Sequence, residues 1–161
     1  MRRRVLGEQH PVVAGNATSL AYWLIDEGAY EEASRLLEEG LSIRIRTLGA
    51  RHPQVAGTLT VKANLRLAQG LYEEARKLAT EARAILLQTM ADDSWQVGAA
   101  KSAEGEALTR LRRYVEAEPL LTSSMSALGA SPLPGLEQKN RQRLVDLYSA
   151  WGRPQEAERY R

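Results

Sequence analysis

Apolar residues recur along the chain every three or four positions, in runs broken by glycine, which is the spacing of one buried face on a helix. In the first run Ala17, Leu20, Ala21 and Leu24 form the stripe and Gly28 stops it. Tyr30 opens a second run, with Ala33, Leu36, Leu37 and Leu41 as its stripe. Glu31 and Arg35 stand four apart on the wet side of that helix, echoed by Glu73 and Lys77, and such pairs support a helix. Two helices joined by a glycine turn are therefore expected over residues 11–47.

The pattern then repeats. A shift of 42 residues lays "LGEQHPVVAG" (6–15) on "LGARHPQVAG" (48–57), and "GAYEEASRLL" (28–37) on "GLYEEARKLA" (70–79). The same shift carries Tyr72 to Tyr114 and Ala75 to Ala117 in "RRYVEAEPLL", and a shift of 40 brings a further copy, "GRPQEAERYR", at 152–161. A fixed period of this length marks supersecondary units stacked into an array with a continuous core. The Pro of each "HP" suits an early helical position. Ala21, Ala33 and Gly40 are small where helices must approach closely.

These residues carry a resemblance. The run Ala17, Leu20, Ala21, Leu24, followed by Ala33 and Leu37, resembles the tetratricopeptide repeat pattern, and the "LG…HP…VA" joint with "G-x-Y-E-E-A" resembles its kinesin-light-chain type. The resemblance implies an all-α fold, a right-handed superhelix of antiparallel helix pairs with about four repeats. The expected units are repeat 1 at 11–47, repeat 2 at 53–89, repeat 3 at 94–127, a loop at 128–135 and a shortened repeat 4 at 136–161. Residues 1–7 align with the end of a second helix and read as the tail of one whose body lies upstream.

Later copies depart from the pattern. Lys62, Arg66, Glu104 and Arg141 occupy slots between helices where Leu or an aromatic residue is expected, so their charged atoms should be paired or reach water. In the third joint "HP" gives way to "DDSWQV", with Asp93 expected as the cap and Trp95 in the place of the proline. Trp23, Trp95 and Trp151 are expected to pack between helices, Trp151 over the turn at Gly152, with Trp95 open to a binding role.

Composition narrows the function. The 161 residues carry 22 basic and 20 acidic side chains, with no cysteine. Disulfides and thiol chemistry are thereby excluded. Both ends are basic, but nowhere do Lys and Arg gather with aromatics along one face, so no nucleic-acid partner is indicated. No run is long enough for a signal peptide or a membrane span, which points to no membrane partner and a cytoplasmic protein. His10 and His52 are the only histidines and lie one period apart, which marks them as parts of a structural joint rather than metal ligands. Acidic pairs such as Glu31-Glu32 project from a helix in different directions, and no phosphate loop or nucleophile elbow is present. Neither an enzyme nor a cofactor is indicated.

What remains is recognition. In the family resembled, the first helix of each unit lines a groove that accepts an extended peptide or a partner helix. Carried onto this chain, that lining is Thr18, Ser19, Tyr22, Ile25 and Asp26 in repeat 1, and Thr60, Val61, Asn64 and Leu67 in repeat 2. Repeat 3 adds Ser102, Glu106 and Arg110, and repeat 4 adds Arg143 and Asp146. Asn64 stands out because an amide can both donate to and accept from a peptide backbone. The carboxylate clamp of chaperone-binding members is missing, with Thr18, Tyr22, Val61, Ala99 and Ala103 in its place. The expected role is a protein-interaction scaffold with a peptide or protein partner, within a larger bacterial regulator of the kind that appends such repeats to a kinase or transcriptional domain. The alternative is a self-assembly module acting through its repeat ends, a homodimer through an N-terminal face that includes Leu20 and Trp23.

Overall fold

The computed structural model describes residues 10–161, which contain eight helices and no strand. Helices α1 (Pro11–Asp26) and α2 (Tyr30–Leu48) form the first pair, and α3 (Pro53–Ala68) and α4 (Tyr72–Leu86) the second. The third pair is α5 (Trp95–Arg110) and α6 (Tyr114–Gly129), the fourth α7 (Leu136–Ala150) and the short α8 (Pro154–Glu158). Each helix packs on the next, and the first helices also pack on one another in series, α1 on α3, α3 on α5 and α5 on α7. The first helices thus line the inner face of an all-α solenoid. The tail expected at 1–7 lies outside the described residues. Helix α6 runs on to Gly129, so the connection that follows is 130–135 rather than 128–135.

The recurring sequence marks correspond to recurring bonds. The turn inside each repeat is a left-handed residue, Gly28 (φ 78°), Gly70 (φ 77°), Arg112 (φ 60°) and Gly152 (φ 76°). The residue after each one donates its N–H five residues back, as Ala29 does to Leu24 (2.9 Å) and Arg113 to Leu108 (2.8 Å), which closes the helix end. At the joints between repeats, His10 and His52 cap α1 and α3. Nδ1 of each accepts the N–H two residues on, from Val12 and from Gln54, both at 3.2 Å. In the third joint the cap is Ser94, whose hydroxyl accepts from Val97, and not Asp93; Trp95 then takes the first helical position. A serine hydroxyl adjacent to the helix start reaches its N–H groups, whereas Asp93 stands one residue too early.

The core is a chain of small clusters, each closed by the next repeat's first helix. Ala17, Ala21, Ile25, Ala33, Leu36 and Leu37 are sealed by Leu65 from α3. Val55, Leu59, Ala82, Ile85 and Leu86 are sealed by Val97 and Ala100 from α5. Burying a leucine fully contributes about 2 kcal/mol, so the side chains shared across each joint tie one repeat to the next. Helix α5 packs closely on α6 at Gly105, where an added Cβ would lie 2.6 Å from the Leu121 side chain. Short as it is, α8 buries Ala157 completely, and Tyr160 just beyond it stacks on Tyr148 with ring centroids 5.9 Å apart.

The charges in interhelical slots are all paired. Lys62 Nζ sits 2.5 Å from Glu38, Arg66 Nε 3.0 Å from Glu74, and Arg141 Nη2 3.0 Å from Glu137. Glu104, only 6% exposed, accepts from Arg83 Nε at 2.7 Å and from the Thr80 hydroxyl at 2.9 Å. That pairing holds the Arg83 guanidinium above its ordinary value, against a smaller opposing effect of burial.

Candidate binding groove

Helices α1, α3 and α5 enclose a groove of about 450 Å³ on the inner face, with residues 133–136 as its far wall. Its lining is mostly apolar, set by Tyr22, Trp23, Val61, Met90, Trp95 and Leu136. Small residues at one repeated position keep the floor open: Gly15, Gly57 and Ala99 follow one another at the period of 42. A Cβ added at Gly57 would meet nothing within 4 Å. Trp23 forms the lip, 62% exposed, and its ring meets Tyr22 edge-on at a centroid distance of 6.0 Å.

One cation sits at the floor. Arg44 of α2 is 8% exposed and lines the groove, yet no carboxylate among the described residues pairs with it. Its Nη1 donates to the Thr58 hydroxyl (2.6 Å), the Gln54 carbonyl (2.9 Å) and the Thr18 hydroxyl (3.3 Å). Its Nε is buried without a hydrogen-bond partner. Nη2 lies beside Gly15, where an added Cβ would stand 3.4 Å from it. Burial pushes the guanidinium below the ordinary arginine value.

Beyond the apolar groove the inner face becomes a polar seam. Arg143 of α7, 7% exposed, donates to Asn64 Oδ1 at 2.7 Å and to Ser102 Oγ at 2.8 Å. The Glu106 carboxylate pairs with its Nε as an ion contact, off the direction of a hydrogen bond. Arg110 continues the seam, 3.6 Å from Glu106 and 4.0 Å from Asp146. On the other side Lys139 of α7 reaches back to repeat 1, 3.8 Å from Asp26 and 5.4 Å from the centre of the Tyr22 ring. Burial, followed by the nearby Arg143 charge, pushes Lys139 below the usual lysine range. Burial and then Asp26 raise the Tyr22 hydroxyl. A gap of only about 20 Å³ between Tyr22, Asn64, Lys139 and Arg143 separates groove from seam. The fourth repeat therefore closes one end of the groove.

The residues assigned to the groove from the sequence divide accordingly. Thr18, Ser19, Tyr22, Thr60, Val61 and Asn64 line it. Asp26, Ser102, Glu106, Arg110, Arg143 and Asp146 make the seam. Ile25 and Leu67 are instead buried between helices, because each continues the small-residue stripe of its helix at a spacing of four, after Ala21 and Ala63. The Asn64 amide is engaged within the protein: Nδ2 donates to the Thr60 carbonyl and Oδ1 accepts from Arg143. Trp95 joins the groove lining, and Trp151 stacks on Tyr114 at 5.8 Å. Trp23 is exposed rather than packed between helices.

Arg44, Met90 and residues 133–136 carry part of the groove without having been foreseen. For Arg44 the signal was present in the repeat: it stands where Leu86 and Leu128 stand one and two periods later. Both histidine Nδ1 atoms are occupied by caps, and the described residues hold no cluster of three or more His, Cys, Asp or Glu able to bind a metal. No helix among them is long and apolar enough to cross a membrane.

A curved stack of helix pairs whose first helices enclose an inner groove defines a helical-repeat solenoid protein. Residues 13–88 match the tetratricopeptide repeat family, and the whole array has the fold of kinesin-light-chain-like proteins built from such repeats. The chain is similar to a solved kinesin-light-chain-type protein of Podosopora anserina with nearly identical TPR-like repeats. The identity is 25% over 94% of this chain and 72% of that one, with a TM-score of 0.75. A singly substituted form of the same protein gives 25% identity over the same shares and a TM-score of 0.73. BtubC (BKLC) from P. vanneervenii has the same fold, at 19% identity over 99% of this chain and 65% of that one, with a TM-score of 0.75. No curated protein matches the chain in sequence.

Proposed function

We propose that this array, like tetratricopeptide arrays in general, mediates protein–protein interaction, as a non-catalytic scaffold that seats an extended peptide or partner helix over its inner groove, in the cytoplasm and as part of a larger bacterial regulator. One observation carries the reading: a groove open to solvent, lined by aromatic and apolar side chains, with Trp23 exposed at its lip. Exposed tryptophan beside a pocket is the kind of anchor on which interfaces concentrate their energy. The partner's apolar side chains enter past Trp23, and the Arg143 seam stops them at the fourth repeat.

Photo-cross-linking in native cells tests this. A benzoylphenylalanine placed at the exposed groove residue Ser19 should capture a discrete partner, one placed at Val115 on α6 should not, and Trp23→Ser should abolish the capture. Equal capture from both positions would refute it.

A second reading rests on α1 itself. Trp23 stands where Leu65 and Ala107 stand in later repeats, and both of those are fully buried against a preceding second helix. Leu20, 49% exposed, lies one turn away on the same helix. Under this reading two copies meet through α1 as a homodimer. Light scattering would show a dimer that Leu20→Ser with Trp23→Ser converts to a monomer; a monomer at every concentration would exclude it.

A further inference from the structure

The groove has two properties that a surface for side chains alone does not need: a closed end, and a buried cation without a counter-ion among the described residues. We propose that its floor is a binding site for a small amphipathic carboxylate, an apolar or aromatic body bearing one acidic group, with Arg44 as the anion-holding residue.

The argument starts from cost. Removing a cation from water is expensive unless a charge of opposite sign accompanies it. Every other buried charge among the described residues has a partner of opposite sign: Lys101 has Asp92, Glu104 has Arg83, and Arg143 has Glu106. Arg44 has only neutral acceptors, and all of them fall on Nη1. The later repeats show that the fold does not require a charge here, since Leu86 and Leu128 fill the same place. Nη2 lies beside Gly15, and Gly15, Gly57 and Arg44 all line the groove, where the two glycines place no side chain. A carboxylate arriving there would supply the missing charge and accept from Nη2.

The rest of the cavity fits the apolar body. About 450 Å³, lined by Trp23, Val61, Met90, Trp95 and Leu136 with few polar groups, is the size and character of a small-molecule pocket. The seam of Arg143 and Lys139 makes it blind at one end. The site shares its cavity with the proposed partner surface and adds to it a place for one anionic group at Arg44, whose charge the Arg44→Leu comparison tests separately.

The test compares two probes, 4-phenylbutyrate and its neutral amide, by the indole N–H resonances of Trp23 and Trp95, with Trp151 as the remote control. The carboxylate should bind with a dissociation constant of about 1 mM or tighter and at least about tenfold better than the amide. Arg44→Leu should fold, since Thr58 keeps its bond to the Gln54 carbonyl and Thr18 its bond to Ala14, and it should erase the preference for the carboxylate. Gly57→Leu, which fills open space on the floor, should abolish binding of both probes while the protein remains folded. Equal binding of the two probes, a preference that survives Arg44→Leu, or no saturable shift at about 5 mM would overturn the proposal.

Discussion

Glu104 and Arg83 allow the energetics of a charge in a repeat interface to be separated into its parts. Replacing Glu104 by Leu removes two hydrogen bonds from Arg83 and one from Thr80. Arg83 is 29% exposed and regains water, and Thr80 keeps its bond to the Arg76 carbonyl, so neither is stranded. The new leucine buries apolar surface worth about 2 kcal/mol, which offsets the lost ion pair. Glu104→Leu should therefore change stability by no more than about 1 kcal/mol, in either direction. Arg83→Leu is the opposite case. It leaves a carboxylate that is 6% exposed with Thr80 as its remaining partner, and should cost about 3 kcal/mol. Urea unfolding followed by circular dichroism reads both, and melting temperature should fall by about 8 °C for Arg83→Leu while Glu104→Leu stays within about 3 °C. Equal losses from the two substitutions would show that the pair itself, rather than the stranded charge, sets the cost, and the reasoning would fail.

Three further outcomes are expected. Arg112 is the one non-glycine residue with positive φ among those described, in the place held by Gly28 and Gly70, so Arg112→Gly should raise stability by up to about 1 kcal/mol in the same unfolding assay. His52→Asn should keep the cap of α3, whereas His52→Ala should lose about 1 kcal/mol, and neither should alter partner affinity. Glu73 and Glu116 should titrate below the usual carboxylate range in a carboxyl NMR experiment, because Arg76 and Arg113 donate hydrogen bonds to them. The small stability these two contribute is present above the unfolded carboxylate value and is lost as pH falls through the depressed one.

The repeat was legible because its signals are local. A helix stripe, a glycine turn and a histidine–proline joint are each fixed within a few residues, and the period of 42 repeats them. The inner groove was legible only in part. Tyr22, Val61 and Asn64 could be placed on it by helical spacing, but the engagement of Asn64 by Arg143, 79 residues away, depends on the curvature of the whole stack. Leu133 and Pro134 form a wall from a joint where the repeat is broken, so no period pointed to them. Ile25 and Leu67 were misplaced because a groove position and a core position on one helix differ by a single turn. Arg44 was readable and overlooked: a cation aligned on two buried leucines is the sort of local contradiction that functional sites leave in a repeat.

The most direct test of the groove as the binding surface is a calorimetric titration of the cross-linked partner, once purified, against the wild-type array, Gly57→Leu and Val115→Ser. Gly57→Leu fills the floor of the groove without touching the core, and should weaken binding by at least about tenfold, or 1.4 kcal/mol. Val115→Ser alters an apolar side chain that is 74% exposed on α6 and should leave the affinity unchanged. Unaltered binding by Gly57→Leu, together with a loss in Val115→Ser, would move the interaction off the inner face and contradict the account.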